Sequence, residues 1–185
     1  MITFLKTFKF YLKYYMTNHV INRIPSHRLR LCWYRHAVGI KIGERTQIWL
    51  GCQFIGDTVD QIEIGNDTVL ASGAVINASA PVKIGDFVRF AQNVSIYTSD
   101  YDCQDPEFRP RYGSVTVNAN CFVAAHAIIL KGVTLGEGAV ITAGAVVFQD
   151  IKPFTIAGGN PARTLGSRVM PAGEKPLTGT PPLFC

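Results

Sequence analysis

A chain of 185 residues with 48% hydrophobic residues can bury one well-packed core, and nothing in its composition requires a second domain. Eighteen Lys and Arg against 13 Asp and Glu give a net charge of +5, which suits an anionic ligand but is too sparse to indicate a nucleic-acid-binding protein. The five cysteines are odd in number and share no metal-ligand spacing, so we predict a cytoplasmic chain with reduced thiols and no metal site.

The first predicted element is a helix from about Thr3 to Asn18 with one apolar face. That face contains Phe4, Phe8, Leu12 and Tyr15, and the interleaved cations are Lys6, Lys9 and Lys13. The segment is too short and too charged to span a membrane, and no small-residue cleavage site of a signal peptide follows it. Two interpretations stay open: the helix packs on the rest of the chain or on a neighbouring subunit, or it rests on the inner membrane surface.

A second helix is predicted to begin after Ser26, which is a suitable N-cap, and to end at Gly39. His27 and His36 lie in this segment, and we interpret both as surface or packing residues. Residues 1–39 therefore form a helical segment that precedes the main domain.

From residue 40 to about 156 the aliphatic residues recur every six positions, a period that fits neither an α-helix nor a strand. A six-residue period means that the chain turns a corner every six residues, which predicts an all-β parallel β-helix of close to five coils with a triangular cross-section. The alternative is a β-sandwich of short strands. The main column is Ile42, Ile48, Ile64, Leu70, Ile76, Ile84, Phe90, Ile96, Val117, Val123, Ile129, Leu135, Ile141 and Val147; a column of smaller residues follows it by four positions and includes Cys121, Ala127, Val133, Ala139 and Ala145.

The register of the repeat slips between Cys52 and Ile64, at Pro81–Lys83, and over the long excursion from Thr98 to Ser114. Insertions in a solenoid leave the coil as loops, where function concentrates, so the 98–114 loop is the first candidate for a functional segment. The domain is expected to cover 40–165. Residues 166–185, rich in Gly, Pro and Thr, are expected to form an extended arm that ends at Cys185.

Four features together resemble the hexapeptide-repeat acyltransferases, in particular the branch that contains maltose, galactoside and polysaccharide O-acetyltransferases. They are the hexads, the loop after Ile96-Tyr97-Thr98, the run Ala139–Val147 and the closing segment Gly158–Arg163. The resemblance covers about 40–165. It implies a left-handed parallel β-helix, a homotrimer, acetyl-CoA in a groove between subunits, and a sugar acceptor in a surface polysaccharide or glycoconjugate.

In the enzymes that this chain resembles, a histidine at the start of the loop takes the proton of the acceptor hydroxyl. Matching Ile96–Thr98 and Asp105-Pro106 to that family puts Tyr101 at the histidine position. A phenol has an ordinary pKa of about 10 and is protonated at neutral pH, so it is a poor base. The resemblance therefore predicts an acetyltransferase whose activity is impaired or whose base lies elsewhere.

Several residues are alternatives to Tyr101 as the reacting group. Asp100 and Asp102 flank it and act either as bases with raised pKa values or as turn residues. His126, the one histidine inside the repeats, is a base or a solvated corner residue, and Cys103 is a nucleophile that would form an acyl thioester.

The resemblance also assigns cofactor residues. Ala125, Thr142 and Ala143 match positions that meet the pantetheine arm of CoA, and Arg163 matches the residue that meets its phosphates. Phe148-Gln149 stands where the family often has Thr-Lys, so that Gln149 replaces a cation, and Lys131 or Lys152 would have to compensate. Asn77 is the nearest candidate for the asparagine that contacts a sugar in maltose-type enzymes.

Two functions remain in competition: an O-acetyltransferase, and a non-catalytic trimer that binds CoA or a glycan or serves as a scaffold. A γ-type carbonic anhydrase, which shares the architecture, needs three histidines around zinc. His19, His27 and His36 precede the repeats and leave only His126, which excludes that class.

Overall fold

The computed structural model describes residues 2–169, with side chains from Thr7 onward except that of Lys9. The side chains of Phe4, Lys6 and Lys9 on the predicted helical face lie outside this description. So do residues 170–185 of the predicted arm, including Cys185.

The N-terminal segment is helical, as predicted. Helix α1 spans Ile2–Tyr15 and continues through a π-type turn, Met16–Val20, and a 3₁₀ turn, Ile21–Arg23; helix α2 spans His27–Trp33 and continues through a second π-type turn, Tyr34–Val38. The Ser26 side chain accepts a hydrogen bond from the Leu29 amide, which confirms the N-cap. Gly39 has a φ of +93°, a left-handed conformation that favours glycine, and ends the segment.

Helix α1 contacts the β-domain through a different face from the one that its sequence suggested. Phe8, Leu12 and Tyr15 are exposed. A small cavity between the helix and the first coil is lined instead by Phe10, Lys13, Tyr14 and Thr17 from the helix and by Val38, Phe54, Gly56 and Val59. The part of the predicted apolar face whose side chains are described is therefore open on the surface of this chain.

The predicted β-helix is confirmed as a parallel solenoid with three sheet faces. Numbered along the chain, face A contains β1 (Lys41–Ile42), β4 (Ile62–Ile64), β7 (Val82–Ile84), β12 (Val115–Val117) and β15 (Thr134–Leu135). Face B contains β2 (Gln47–Ile48), β5 (Val69–Leu70), β8 (Arg89–Phe90), β13 (Phe122–Val123), β16 (Val140–Ile141), β18 (Thr155–Gly158) and the antiparallel β19 (Arg163–Ser167). Face C contains β3 (Gln53–Ile55), β6 (Val75–Asn77), β9 (Ser95–Tyr97), β14 (Ile128–Ile129) and β17 (Val146–Val147), and β10 (Ser99–Tyr101) pairs with β11 (Pro110–Tyr112) outside the faces.

The hexad column forms the core. Ile129 lies in register between Ile96 and Val147, and its neighbours in the column stack in the same way, one coil above the other. From Ile48 onward every member of the main column is buried, because each inward side chain is covered by the coils on both sides. Face B has six parallel strands where faces A and C have five each, so the solenoid has five complete coils and the beginning of a sixth, slightly more than predicted.

Strand β19 extends two residues beyond the predicted end of the domain. It begins at Arg163 and ends at Ser167, paired with β18, so Gly166 and Ser167 belong to a strand.

Candidate active site

The loop at 98–114 leaves the solenoid at the corner between faces C and A and forms an antiparallel hairpin. Strands β10 and β11 pair Asp100 with Arg111 and Tyr101 with Pro110. At its base the hydroxyl of the fully buried Thr98 accepts hydrogen bonds from the amides of Ser79 (2.8 Å) and Ala80 (2.9 Å). The same hydroxyl donates to the Asn77 carbonyl at 2.9 Å. The hairpin thus projects from a fixed base. It lies beside Asn77, the residue predicted to contact the sugar acceptor.

Tyr101 is the last residue of β10, and its side chain is 68% exposed. The Tyr101 phenol is therefore accessible to solvent and is not part of the core.

Asp100 is held by two cations. Its carboxylate accepts two hydrogen bonds from Arg111, at 3.0 and 3.2 Å, and Lys131 Nζ lies 3.6 Å away. Hydrogen bonding to Arg111 and the charge of Lys131 lower the pKa of Asp100. Of the two alternatives for Asp100, the lowered pKa disfavours a base with a raised pKa, because hydrogen bonding and nearby cations outweigh its desolvation.

Asp102 participates in the turn of the hairpin. Its Oδ1 accepts a hydrogen bond from the Gln104 amide at 3.0 Å, and Arg111 Nη1 lies 3.8 Å from the same oxygen. This is the turn chemistry that was the alternative to a catalytic role. Cys103 is exposed, with Gln104 Nε2 at 4.0 Å from its sulfur.

His126 and the predicted pantetheine residues lie at a different corner, between faces B and C. His126 is exposed, has a φ of +60° and donates its amide to the Gln92 carbonyl, and its Nε2 lies 3.5 Å from Asn93 Nδ2. One coil further, the Gly144 amide donates to the Ala125 carbonyl at 2.9 Å, so Ala125 and Ala143 stack at the same corner.

Thr142 completes this group because it ends face B immediately before that corner. Its amide donates to the Ala157 carbonyl at 2.9 Å. The structure therefore brings together three of the predicted cofactor residues, Ala125, Thr142 and Ala143. Small side chains there leave the backbone groups of the corner accessible to an extended ligand such as a pantetheine arm.

The remaining predicted cofactor residues are Gln149, which follows the last strand of face C, and Arg163, which begins β19 at the edge of face B. Gln149 is exposed and follows Phe148, and the guanidinium carbon of Arg163 lies 5.6 Å from the centre of the Phe148 ring. Lys131 stands one coil below Gln149, because β14 and β17 pair in register. Lys131 thus supplies a cation one coil away from Gln149, the position where the family often has lysine. Its ammonium group contacts Asp100. Lys152, the other predicted substitute, is exposed.

Face C separates the two groups within one chain. Ala125 precedes β14 of face C and Lys131 follows it, on the side where the hairpin leaves after β9. Tyr101 and the pantetheine corner therefore lie on opposite edges of face C.

Arg111 and Phe148 are residues of the site that sequence reasoning missed as partners. The turn residues Asp105-Pro106 lie midway between Asp100 and Arg111, a spacing that would have placed the two charges across a hairpin. Nothing comparable in the sequence signals the contact between Phe148 and Arg163. Within residues 2–169, no group of three His, Cys, Asp or Glu side chains is arranged to hold a metal ion.

No protein-family model matches the sequence. A chloramphenicol acetyltransferase from Escherichia coli is 31% identical over 118 residues, which cover 60% of this chain and 54% of that protein. The corresponding enzyme from Agrobacterium fabrum is 30% identical over 115 residues, 59% of this chain and 53% of the relative. The chain thus spans about half the length of the curated relatives it matches.

Solved structures match over more of the chain. A hexapeptide-repeat acetyltransferase from Vibrio cholerae in complex with acetyl-CoA has a TM-score of 0.76 and 25% identity, covering 85% of this chain and 86% of that one. A maltose O-acetyltransferase from Clostridium difficile has a TM-score of 0.74 and 26% identity, covering 85% and 83%. A galactoside acetyltransferase in complex with CoA has a TM-score of 0.74 and 27% identity, covering 84% and 77%.

The six-residue period and the three-faced solenoid define a parallel β-helix protein built from hexapeptide repeats. Together with these similarities, they show that the chain is similar in fold and sequence to hexapeptide-repeat acetyltransferases.

Proposed function

We propose that this protein is an acetyl-CoA-dependent O-acetyltransferase that modifies a sugar hydroxyl of a surface polysaccharide or glycoconjugate precursor. The observation that carries the proposal is the match of 85% of the chain to an acetyltransferase solved with acetyl-CoA. The sugar acceptor is supported by the maltose and galactoside enzymes among the structural neighbours.

The reaction needs a base and a held thioester. The acceptor oxygen attacks the thioester carbonyl, the carbon–sulfur bond breaks, and the hydroxyl proton passes through the base to the CoA sulfur, so the products are an acetate ester and CoA. Ala125, Thr142 and Ala143 would hold the pantetheine arm, and Arg163 would contact a phosphate. Arginine suits this role because its planar fork of donors matches phosphate oxygens.

We infer that Tyr101 occupies the position of the family's histidine without replacing its basicity. Holding the acceptor beside the thioester accounts for a large part of an acyl-transfer barrier, so turnover persists but is slow. Asp102 and His126 are the alternative bases. The exposure of Tyr101 at the edge of the hairpin supports its contact with an acceptor.

A homotrimer would complete the site. A cyclic trimer uses two different surfaces of each chain, and this solenoid presents two apolar outer faces. Face A carries charged side chains such as Lys41, Glu63 and Lys83, whereas the outward residues of faces B and C include Trp49, Val69, Phe122, Val140, Val75, Tyr97, Ile128 and Val146. Packing face B of one copy against face C of the next would close such a ring and create grooves between neighbouring subunits. Sedimentation equilibrium would measure the trimer, and a monomer at micromolar concentration would contradict it.

The helical segment is proposed to rest on the inner membrane surface at its cytoplasmic side. Residues 1–39 contain seven of the 18 basic residues and none of the 13 acidic ones, so the remaining 11 basic and 13 acidic residues leave the rest of the chain at a net charge of −2. The exposed stripe on α1 contains Phe8, Tyr11, Leu12 and Tyr15. A basic helix with an aromatic face binds anionic lipid surfaces. No helix within residues 2–169 has the length and hydropathy that a bilayer crossing requires.

Vesicle sedimentation tests the membrane proposal. The protein should sediment with phosphatidylserine-containing vesicles but not with phosphatidylcholine alone, and Leu12→Asp should abolish that binding. Phe108→Asp, which alters an exposed apolar residue on the hairpin (60% exposed, against 48% for Leu12), is the control. Equal binding to both vesicles, or none to either, would contradict the proposal.

The four cysteines of residues 2–169 are free thiols, which supports a cytoplasmic location.

The second candidate function is a non-catalytic trimer that binds CoA or a glycan. The observation that favours it is that Tyr101 is a phenol and that the Asp100 carboxylate is paired with Arg111 and Lys131, which makes both poor bases. A thiol-release assay with acetyl-CoA and a panel of sugars, nucleotide sugars and chloramphenicol separates the two. CoA release that depends on one acceptor supports the enzyme, whereas CoA binding without release supports the binding protein.

A further inference from the structure

The contact between Phe148 and Arg163 joins two segments of the last coil that are separated in the sequence. Phe148 follows β17 on face C, and Arg163 begins β19 after the chain has crossed the top of the solenoid. The Ala162 amide donates to the Val146 carbonyl at 2.9 Å, which fixes the crossing segment over β17. The guanidinium carbon then lies 5.6 Å from the ring centre, within the range of a cation–π contact.

The contact restrains the position of the guanidinium. A guanidinium held beside an aromatic ring keeps its N–H donors available for an anion, because the ring accepts no conventional hydrogen bond from them. One of them, Nη1, donates to the Ala162 carbonyl at 3.1 Å, so the side chain is held at two points. An arginine on an exposed strand end would otherwise lose considerable rotamer freedom on binding a ligand.

The residues around Arg163 explain why a restrained guanidinium would help to bind an anion such as a phosphate. Gln149 is uncharged, and Lys131 on the coil below contacts Asp100, which offsets its charge. Phe148 remains 41% exposed despite the contact, so the ring and the guanidinium form one accessible surface. Arg163 is therefore the cation best arranged for a phosphate at this end of face C.

We propose that Phe148 is a positioning residue that preorganises Arg163 for a phosphate group of CoA, and that this stacked pair substitutes for the lysine absent at Gln149. The inference rests on the proposed function, because it concerns the same donor substrate. Phe148 does not contact the reacting atoms, so it affects the affinity for CoA and not the chemical step.

Binding of CoA and of pantetheine, measured by calorimetry, tests this role. Arg163→Ala should weaken CoA binding at least about tenfold, as expected for loss of a charge-assisted hydrogen bond. Phe148→Leu, which keeps an apolar side chain but removes the ring, should weaken it about two- to fivefold, the size of an exposed cation–π contact. Pantetheine lacks the phosphates, so its affinity should change in neither variant.

A double-mutant cycle and a rescue complete the design. In the Arg163→Ala background, Phe148→Leu should have no further effect, and Phe148→Trp should retain the affinity of the unmodified protein. Phe154→Leu, which alters a ring of matching exposure (40%) at the corner between faces A and B, is the control. In turnover assays Phe148→Leu should raise the KM for acetyl-CoA and leave kcat unchanged.

Three results would overturn the inference: equal losses for CoA and pantetheine, additive effects of the two substitutions, or unchanged CoA affinity in Phe148→Leu. Absence of CoA binding by the unmodified protein would instead contradict the proposed function itself. Sedimentation of each variant shows whether it keeps the assembly state of the parent, which separates a binding effect from a packing effect.

Discussion

The side-chain amide of Asn18 pairs with both backbone polar groups of Phe54. Its Oδ1 accepts a hydrogen bond from the Phe54 amide at 2.8 Å, and its Nδ2 donates to the Phe54 carbonyl at 2.9 Å. Phe54 lies in β3, the first strand of face C, which has no preceding strand. Asn18 therefore makes the two bonds that another coil would make, and it protects an open sheet edge.

Face B is capped in the same way. Arg30 Nη2 donates to the Ile48 carbonyl at 2.9 Å, and His27 Nε2 accepts from the Ile48 amide at 3.3 Å. The helical segment is thus an integral cap of the first coil.

Replacing Asn18 by alanine should remove this cap on face C. Two buried backbone groups of Phe54 would lose their partners, so the free energy of unfolding should fall by about 2–4 kcal/mol. Urea denaturation measures the change. Gln92→Ala, an exposed side chain at a corner, should change it by less than about 0.5 kcal/mol. An equal effect of the two substitutions would contradict the capping role.

The cap at His27 predicts a pH dependence. Burial, reinforced by Arg30 and Arg35, lowers the pKa of His27, because the folded state favours the neutral ring whose Nε2 accepts a hydrogen bond. A lowered pKa means that the stabilisation is complete above the unfolded value of about 6.5 and is lost as the pH falls through the folded value.

Denaturation at pH values from about 7.5 to 5 should therefore show a falling free energy of unfolding that is weaker in His27→Gln. The paired carboxylates of Glu63, Asp67 and Asp100 also have lowered pKa values, but their contribution is lost only below about pH 4. The same slope in both proteins would show that another group titrates.

Asp100 should order the hairpin without adding much global stability. Its contacts with Arg111 and Lys131 are exposed to solvent and screened by it, so Asp100→Asn should leave the free energy of unfolding nearly unchanged. Cleavage by trypsin after Arg111 should nevertheless become several-fold faster, since local opening depends on few contacts. Asp57→Asn, an exposed residue of the first coil, should leave the cleavage rate unchanged, and an unchanged rate in Asp100→Asn would contradict this anchoring role.

Tyr101→His should raise kcat at least tenfold if Tyr101 occupies a vacated base position, since a general base contributes about 10²–10⁴-fold. Steady-state kinetics with the best acceptor of the panel measures the change. Tyr112→His, on the opposite strand of the hairpin and similarly exposed, should give no gain. No gain in Tyr101→His with CoA binding intact would show that the base lies elsewhere.

The core of this fold could be predicted from the sequence because burial repeats along the chain. Ile129 and its column neighbours follow a strict period, and a period of six has one simple geometric solution. Ser26 and Gly39 were equally predictable, since each satisfies a local backbone requirement.

The packing of α1 could not be predicted in this way. The helix has apolar residues on more than one side, so periodicity alone does not select the side that faces the solenoid. Polar contacts after the helix decide it: Asn18 binds Phe54, and Thr17 Oγ1 accepts a hydrogen bond from Trp33 Nε1 at 2.9 Å. Such contacts depend on tertiary neighbours that a single sequence does not display.

The part of the site that lies on the six-residue repeat could be predicted, and the part that depends on long-range contacts could not. Ala125 and Ala143 are 18 residues apart, three hexads, and the repeat stacks them. The ionised state of Asp100 depends on Arg111 across a hairpin and on Lys131 in the next coil, two long-range contacts that are outside the repeat rule.

The central claim is transfer of an acetyl group, and mass spectrometry of the acceptor tests it most directly. The purified protein, acetyl-CoA and the sugar panel should yield one acceptor heavier by a single acetyl group, together with an equal amount of CoA thiol. Unmodified acceptors after prolonged incubation, with CoA bound and the trimer intact, would contradict the enzyme and leave a binding protein.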